Sequence, residues 1–321
     1  MKNNNILVGI TQGDMNSISY EVILKTLKEK DLLELCTPIL YGSPKAVAYH
    51  RKALDMQEIN LTRINDAGDA NTKKANIINC LPDNLRIELG KSTAAAGEGS
   101  YKALEAAIND LLNKKIDVVV TGPINKHNIQ SKDFNFPGHT EYLKNKANAS
   151  EVLMLMVNKH LRIGVVAGHV PIKDVASYVT PENIKKKTTL MHHSLQYDFN
   201  IRKPKIAILG LNPHCGDEGV IGNEEQEVIK PAIEALRNNN IMAFGPYAAD
   251  GFFGSEAYKE FDGVLAMYHD QGLAPFKALD NESGVNFTAG LPIIRTSPAH
   301  GTAYELAGLN QAQPDSFRES I

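Results

Sequence analysis

The chain has 321 residues, 43% of them hydrophobic and 22% charged, and a formal net charge of −3. That length exceeds the usual single core, so two domains or one large α/β domain are expected. The mild acidity argues against the basic footprint of a nucleic-acid binder, while leaving room for a local basic pocket that takes a small anion.

Cys36, Cys80 and Cys215 are widely spaced, match no zinc or disulfide pattern and fit a reducing cytoplasm. The N-terminal "MKNNNILVGITQGD" carries an apolar run too short for the core of a signal peptide. No apolar stretch approaches the roughly 18 residues of a membrane helix. The expectation is a soluble cytoplasmic protein with no nucleic-acid or membrane partner.

In chain order, the apolar run "ILVGI" precedes an amphipathic stretch, "SYEVILKTLKEKDLLEL", and then a second run, "PILYG". Next come "GSYKALEAAINDLLNKK", with apolar residues at three- and four-residue intervals, and the run "DVVVTGP". "RIGVVAGH" leads to "TPENIKKKTTLMHHSLQYDF", and "KIAILGLNP" leads to "NEEQEVIKPAIEALRNNN". Both of these helical stretches open with caps and acids, as helix N-termini favour. "GVLAMYH" closes the series. Strands alternating with helices predict a mainly parallel sheet covered by helices. No internal repeat and no Gly/Ser- or Pro-rich linker interrupts the pattern, so any second domain is reached by a chain that crosses more than once.

Three histidines lie just beyond three predicted strands: His169 in "VVAGH", His214 in "ILGLNPH" and His269 in "LAMYH". Ligands of open parallel sheets bind beyond the C-terminal strand ends. Three imidazoles there can converge on one divalent metal and leave a fourth position open. The alternative is three unrelated loop histidines. His192 and His193, adjacent and mid-helix, are read as structural, and His50 and His160 as solvated.

"FPGHTEYL" sets His139 and Thr140 after a Pro-Gly turn at a helix start, where backbone N–H groups hold phosphate; a simple capping turn is the plainer reading. Lys277 follows His269 by eight residues, and Arg295 follows an apolar strand, "GLPII". Both are cations suited to a phosphate or carboxylate. Cys215 is a poor nucleophile candidate, because its sequence neighbour His214 points elsewhere. Asp217 and Glu218 are expected to cap the turn before "NEEQEV".

These segments, with "VVVTGPINK", "GPYAADGFF", "DGVLAMYHDQGLAPFK" and "GVNFTAGLPIIRTSPAHGTAYELAG", together resemble the 4-hydroxythreonine-4-phosphate dehydrogenase family of vitamin B6 biosynthesis. The likeness runs from about Gly9 to Phe317 in the family's order. It implies an isocitrate/isopropylmalate dehydrogenase-like fold of two α/β domains with a cleft between them. One domain would comprise residues 1–125 plus 279–321 and carry the nucleotide loop. The other, 126–278, would carry the metal ligands and dimer contacts.

The resemblance further implies an obligate homodimer with the active site at the subunit interface. His169, His214 and His269 would bind one divalent ion (zinc, magnesium or cobalt) shared across that interface. Substrate contacts carry over to His139, Thr140, Lys277, Asn286 and Arg295. Asp250 matches an acid of the cleft, and Lys277 and Asp250 are the candidates for proton transfer. "HGTAYELAG" would place His300 and Gly301 near the adenosine of NAD or NADP. No GxGxxG follows a strand, so the ordinary dinucleotide fingerprint is absent.

The implied reaction is NAD(P)-dependent oxidation of the secondary alcohol of 4-phosphohydroxy-L-threonine. Its β-keto acid product loses CO2 to give 3-amino-2-oxopropyl phosphate, on the way to pyridoxal 5'-phosphate. Hydride loss from a secondary alcohol needs a proton acceptor and stabilisation of the developing alkoxide, which a divalent cation supplies. A sister activity on 4-phospho-D-threonate or 4-phospho-D-erythronate would use the same residues. A metal-dependent hydrolase or aldolase is the distant alternative, and it has no use for an adenosine loop.

Two departures from the family's pattern stand out. In "GDMNSISYE", Ser17 and Ser19 occupy positions where glycines are usual, which predicts a reshaped turn. The chain also ends at "DSFRESI", where relatives continue into a closing helix, which predicts different packing at that end.

Overall fold

A computed structural model describes residues 5–280 and 282–321. The chain folds as two compact units, Met1–Asn148 with Pro292–Ile321, and Ala149–Leu291. The crossing points differ from the expected 125/126 and 278/279, and packing explains both shifts. Phe134 and Tyr142 stack edge-on against Tyr101, which ties the segment after residue 125 to the first unit. Strand 285–289 pairs with strand 153–157, which keeps the segment after 278 in the second.

The first unit contains β1 (Ile6–Thr11), α1 (Ser19–Leu27), α2 (Leu32–Leu35), β2 (Cys36–Gly42), α3 (Pro44–Ala53), β3 (Thr62–Ile64), β4 (Asn76–Asn79), α4 (Ala94–Leu112), β5 (Val118–Thr121) and α5 (His139–Lys146). Its strands pair in the order β3-β4-β2-β1-β5-β12, all parallel, with β12 (Ile294–Pro298) returning from the far end of the sequence. Such a sheet is buried on both faces, and the fully buried "CTPILYG" of β2 reads accordingly. Val8, Ile10, Ile23, Leu24, Leu40 and Ile77 belong to its core.

The predicted helix 19–35 breaks into two. Residues 28–31 are the wholly polar "KEKD", with no apolar face to bury, and the break is bridged by tight bonds such as Glu29 N–H to the Thr26 carbonyl. His50, expected at a solvated surface, is instead 1% exposed on α3; its Nε2 meets the Met15 carbonyl at 2.8 Å and its ring stacks on Tyr20.

The second unit contains β6 (Leu153–Val157), β7 (Arg162–Ala167), α6 (Val175–Tyr178), α7 (Pro181–Tyr197), β8 (Lys205–Leu209), α8 (Lys230–Asn238), β9 (Met242–Tyr247), α9 (Ala249–Gly254), β10 (Gly263–Tyr268), α10 (His269–Leu279) and β11 (Val285–Ala289). Its strand order is β11-β6-β7-β10-β8-β9, with β6 antiparallel to both neighbours and the remaining pairs parallel. Leu155, Val166, Ile206, Ile208, Leu265 and Met267 belong to its core. α7 starts as predicted, with Thr180 Oγ1 accepting from the Asn183 amide.

The predicted helix 223–240 opens instead with a wide π turn over Glu225–Ile229 before α8 begins. Pro231 has no N–H to donate to the turn before it, and the side chain of Glu225 is engaged elsewhere. The C-terminal α11 (Asp315–Glu319) returns to the first unit, burying Phe317 completely, and Ser316 Oγ accepts from the Ala299 amide.

Candidate active site

β7, β10 and β8 are neighbours running the same way, so their C-terminal ends leave one edge of the second unit's sheet together. The first two of those exits place His169 and His269 with ring centroids 6.0 Å apart and planes tilted by 37°. Both rings line a cavity of about 350 Å³ with Ile172, Tyr268 and Asp270. His269 Nδ1 lies 2.6 Å from the Asp270 carboxylate. A carboxylate accepts, so Nδ1 carries the hydrogen and Nε2 keeps its lone pair for a ligand bond, the arrangement typical of metal-binding histidines.

His214 leaves β8 into a second cavity of about 500 Å³, lined also by Asp250, Phe253, Tyr268 and Gln271. Among the described residues no three His, Cys, Asp or Glu side chains gather closely enough to hold a metal ion. The structure thus pairs two of the three expected ligands and sets the third in the cavity beyond Tyr268. The donor set itself, imidazoles backed by a carboxylate, suits a divalent ion of the zinc type.

The turn that carries His214 is unusual. His214, Cys215, Gly216, Asp217 and Glu218 all take left-handed angles, with φ from 44° to 78°. Four of the five are not glycine, at about 1–2 kcal/mol each for an L-residue. Burial, with Glu225 close by, raises the Cys215 thiol above the ordinary range and disfavours a thiolate. Asp217 and Glu218 are exposed and do not take the capping role expected of them. That role falls to Glu224 and Glu225, whose carboxylates accept from Asn212, and sequence reasoning passed over both.

The other expected residues of this unit are placed individually. Lys277 is exposed in the last turn of α10, and Asp250 is exposed in the first turn of α9. Asn286 lies on β11, and its buried Oδ1 has no hydrogen-bond partner among the described residues.

In the first unit, His139, Thr140 and Arg295 come together. Arg295 lies within β12, rather than after a strand, and is 2% exposed. Its Nε and Nη2 donate to Thr121 Oγ1 at 3.0 and 2.6 Å, and Nη2 also lies 3.2 Å from His139 Nδ1. A guanidinium only donates, so Nδ1 accepts and the imidazole hydrogen sits on Nε2. That Nε2 is buried and has no partner among the described residues. Burial, with the charges of Arg295 and Lys126, holds His139 well below the ordinary imidazole range, so it stays neutral. Burial likewise lowers Arg295 to about 10, still cationic at neutral pH. His139 and Thr140 form the first turn of α5, whose N-cap Gly138 offers no side chain to the free amides. The corner therefore holds a fixed cation, an N–H donor lacking an acceptor and an open helix N-terminus, all suited to an anion.

The "HGTAYELAG" loop is tied to the turn after β1. The Ile18 amide donates to the Thr302 carbonyl, and the Tyr304 hydroxyl donates to Asp14 Oδ2 at 2.7 Å. His300 Nδ1 lies 3.0 Å from the Gly301 carbonyl, burial lowers its basicity, and its buried Nε2 has no partner among the described residues. Its chain neighbours aside, no atom of the described residues stands within 4 Å of where a Cβ on Gly301 would lie. Ser17 and Ser19 do not strain the turn as expected. Neither has a positive φ, both are buried, and their hydroxyls donate to the carbonyls of Asp14 and Gln12. Within this turn glycine is required at Gly13, at φ 64°, where a Cβ would lie 2.6 Å from Ser19 Oγ.

The model of the family "Pyridoxal phosphate biosynthetic protein PdxA" matches residues 34–321. A 4-hydroxythreonine-4-phosphate dehydrogenase of Bacteroides thetaiotaomicron is 52% identical over 322 residues, covering 100% of this chain and 88% of that protein. A D-threonate 4-phosphate dehydrogenase of Cupriavidus necator is 35% identical, covering 98% of this chain and 95% of its own. The crystal structure of the 4-hydroxythreonine-4-phosphate dehydrogenase of Klebsiella pneumoniae superposes with a TM-score of 0.87 at 28% identity, over 99% of this chain and 98% of that one. A family match across both units, a relative identical at half of all positions and a shared fold leave one assignment: the chain belongs to the pyridoxal phosphate biosynthetic protein PdxA family.

Proposed function

We propose that this chain is a nicotinamide-dependent dehydrogenase that oxidises the secondary alcohol of 4-phosphohydroxy-L-threonine. The β-keto acid then loses CO2 to give 3-amino-2-oxopropyl phosphate, a precursor of pyridoxal 5'-phosphate. The observation that carries this reading is the buried His139 Nε2–H, which has no acceptor among the described residues and lies beside the Arg295 guanidinium. A buried donor without a partner is costly, and a substrate phosphate oxygen satisfies it. Thr140 and the free amides of α5 extend the same site.

When bound, a divalent ion would polarise the hydroxyl oxygen of the alcohol, and a nicotinamide would accept the hydride from the carbon that bears it. His169, His214 and His269 are assigned as the ligands, with Asp270 fixing the tautomer of His269. His169 and His214 are exposed, and His214 lines a different cavity from the other two, which supports a site completed by a second copy of the chain in a homodimer. Lys277 and Asp250 are assigned to proton transfer, and Asn286, with its unpaired Oδ1, to the substrate. His300 and Gly301 are assigned to the adenosine of NAD or NADP, the exposed Gly301 leaving open space at that position. Among the described residues no helix is long and apolar enough to cross a membrane, and a cytoplasmic location is part of this proposal.

The second reading, oxidation of 4-phospho-D-threonate, is favoured by the relative in Cupriavidus necator. It uses the same anion corner and the same imidazoles. Each substrate is to be supplied separately with NAD or NADP and zinc, magnesium or cobalt, and nicotinamide reduction followed at 340 nm. Rapid reduction with 4-phosphohydroxy-L-threonine is expected. Rapid reduction with the threonate alone selects the second reading, and none with either defeats both.

A further inference from the structure

We propose that Glu225 is a positioning residue that sets the His214 imidazole through the backbone; this rests on the assignment of His214 as a metal ligand. Glu225 is fully buried, at 0% exposure, and opens the π turn after the loop. Its Oε1 accepts from the amides of Leu211 and Asn212, both at 2.7 Å. Its Oε2 accepts from Asn212 Nδ2 at 2.9 Å, which Glu224 holds from the other side at 2.7 Å. One carboxylate thus clamps the chain where it leaves β8, two residues before His214.

The left-handed turn closes over that carboxylate. The Cys215 amide donates to the Asn212 carbonyl and the Ile221 amide to the Gly216 carbonyl. A Cβ on Gly216, at φ 78°, would lie 2.7 Å from Glu225 Oε2 and 2.6 Å from the Gly222 carbonyl oxygen. The side chain of Gln271 completes the frame: its Nε2 donates to the Gly210 carbonyl and its Oε1 accepts from the Met267 amide, both at 2.7 Å. The exits of β8 and β10, which carry His214 and His269, are therefore linked by side chains that bind no metal.

Left-handed backbone at non-glycine positions persists only where the surroundings impose it. Without the clamp the turn relaxes and His214 swings away from the ligand position. Outer groups that orient metal ligands are commonly worth about 10–100-fold in metal affinity.

The test is titration of the full-length protein with Co2+, read by its visible absorption bands, alongside separate fluorescence titration with NADH. Glu225→Ala is expected to weaken Co2+ binding by about 10–100-fold and leave NADH affinity within twofold of wild type. Glu225→Gln keeps Oε1 and its two backbone bonds and gives up only the bond to Asn212 Nδ2, which Glu224 still accepts, so Co2+ affinity within about threefold is expected. Gly216→Ala, which pushes on the carboxylate from the side of the turn, is expected to cost about tenfold and serves if Glu225→Ala does not fold.

Wild-type Co2+ affinity in folded Glu225→Ala, or in Gly216→Ala where the former does not fold, overturns the proposal. So does a loss in Glu225→Gln as large as in the alanine variant, since charge rather than position would then be at work. Co2+ binding by the wild type that His214→Ala leaves unchanged defeats the ligand assignment itself, and the proposal with it.

Discussion

The two units prepare their candidate functional groups in opposite ways. In the first, Arg295, His139 and His300 are drawn inside, and burial sets their charge state: His139 and His300 are held neutral, and Arg295 is lowered to about 10. In the second, His169, His214, Lys277 and Asp250 stand exposed at loop and helix ends. Their placement there depends on backbone, extending to five consecutive left-handed residues at His214. A buried group is ready for a ligand before it arrives. An exposed ligand is fixed only by what holds its loop or by what binds it, so the second unit is expected to respond more to metal and to partner subunits.

The largest effect is expected from removing the half-buried imidazole of His269. His269→Ala should lower kcat/KM by about a thousandfold, ~4 kcal/mol of transition-state stabilisation, with Co2+ binding lost in parallel. An unchanged kcat/KM would show that the second unit's histidines are not ligands.

In the first unit, Arg295→Lys should raise KM for the phosphorylated substrate about 10–100-fold, because one ammonium cannot replace a fork that reaches both Thr121 and His139. An effect confined to kcat would move Arg295 from anion binding to the chemistry.

The third expectation concerns stability. Burial lowers His50 to about 4, below its ordinary 6.5, so the unfolded chain takes up the proton first as pH falls. Stability is undiminished above 6.5 and drains between 6.5 and 4. His50→Gln keeps a donor for the Met15 carbonyl but does not titrate. It should therefore recover about 2 kcal/mol of the stability that the wild type loses between pH 7.5 and 5. Denaturant melts at the two pH values measure this, and equal losses in both proteins would refute it. The smallest effect belongs to Cys215→Ser, where kcat should stay within about twofold because the protonated thiol has no chemical role.

Much of this was legible in advance, for reasons that differ from residue to residue. The runs "KIAILG" and "GVLAMY" are apolar throughout, so they announce buried parallel strands, and with them the edge at which His214 and His269 emerge. Arg295 read as a cation beyond a strand, whereas it lies within β12, because the short "IRTSP" strand has no apolar run to mark it. Glu225 read as one of several acids at a helix start. Nothing local separates it from Glu224, and only the return of the chain to Asn212 gives it three hydrogen bonds and complete burial.

The sequence by itself determined the alternation of strand and helix and the family, because periodicity and motif are properties of neighbouring residues, and it named the candidate groups for the site. Tertiary structure alone decided that His50 is buried, that the hydrogen of His139 sits on Nε2, that serines replace glycines without strain, and that His214 rides on a left-handed turn. Each of those depends on contacts between segments far apart in the chain, and on the burial that only the closed fold imposes.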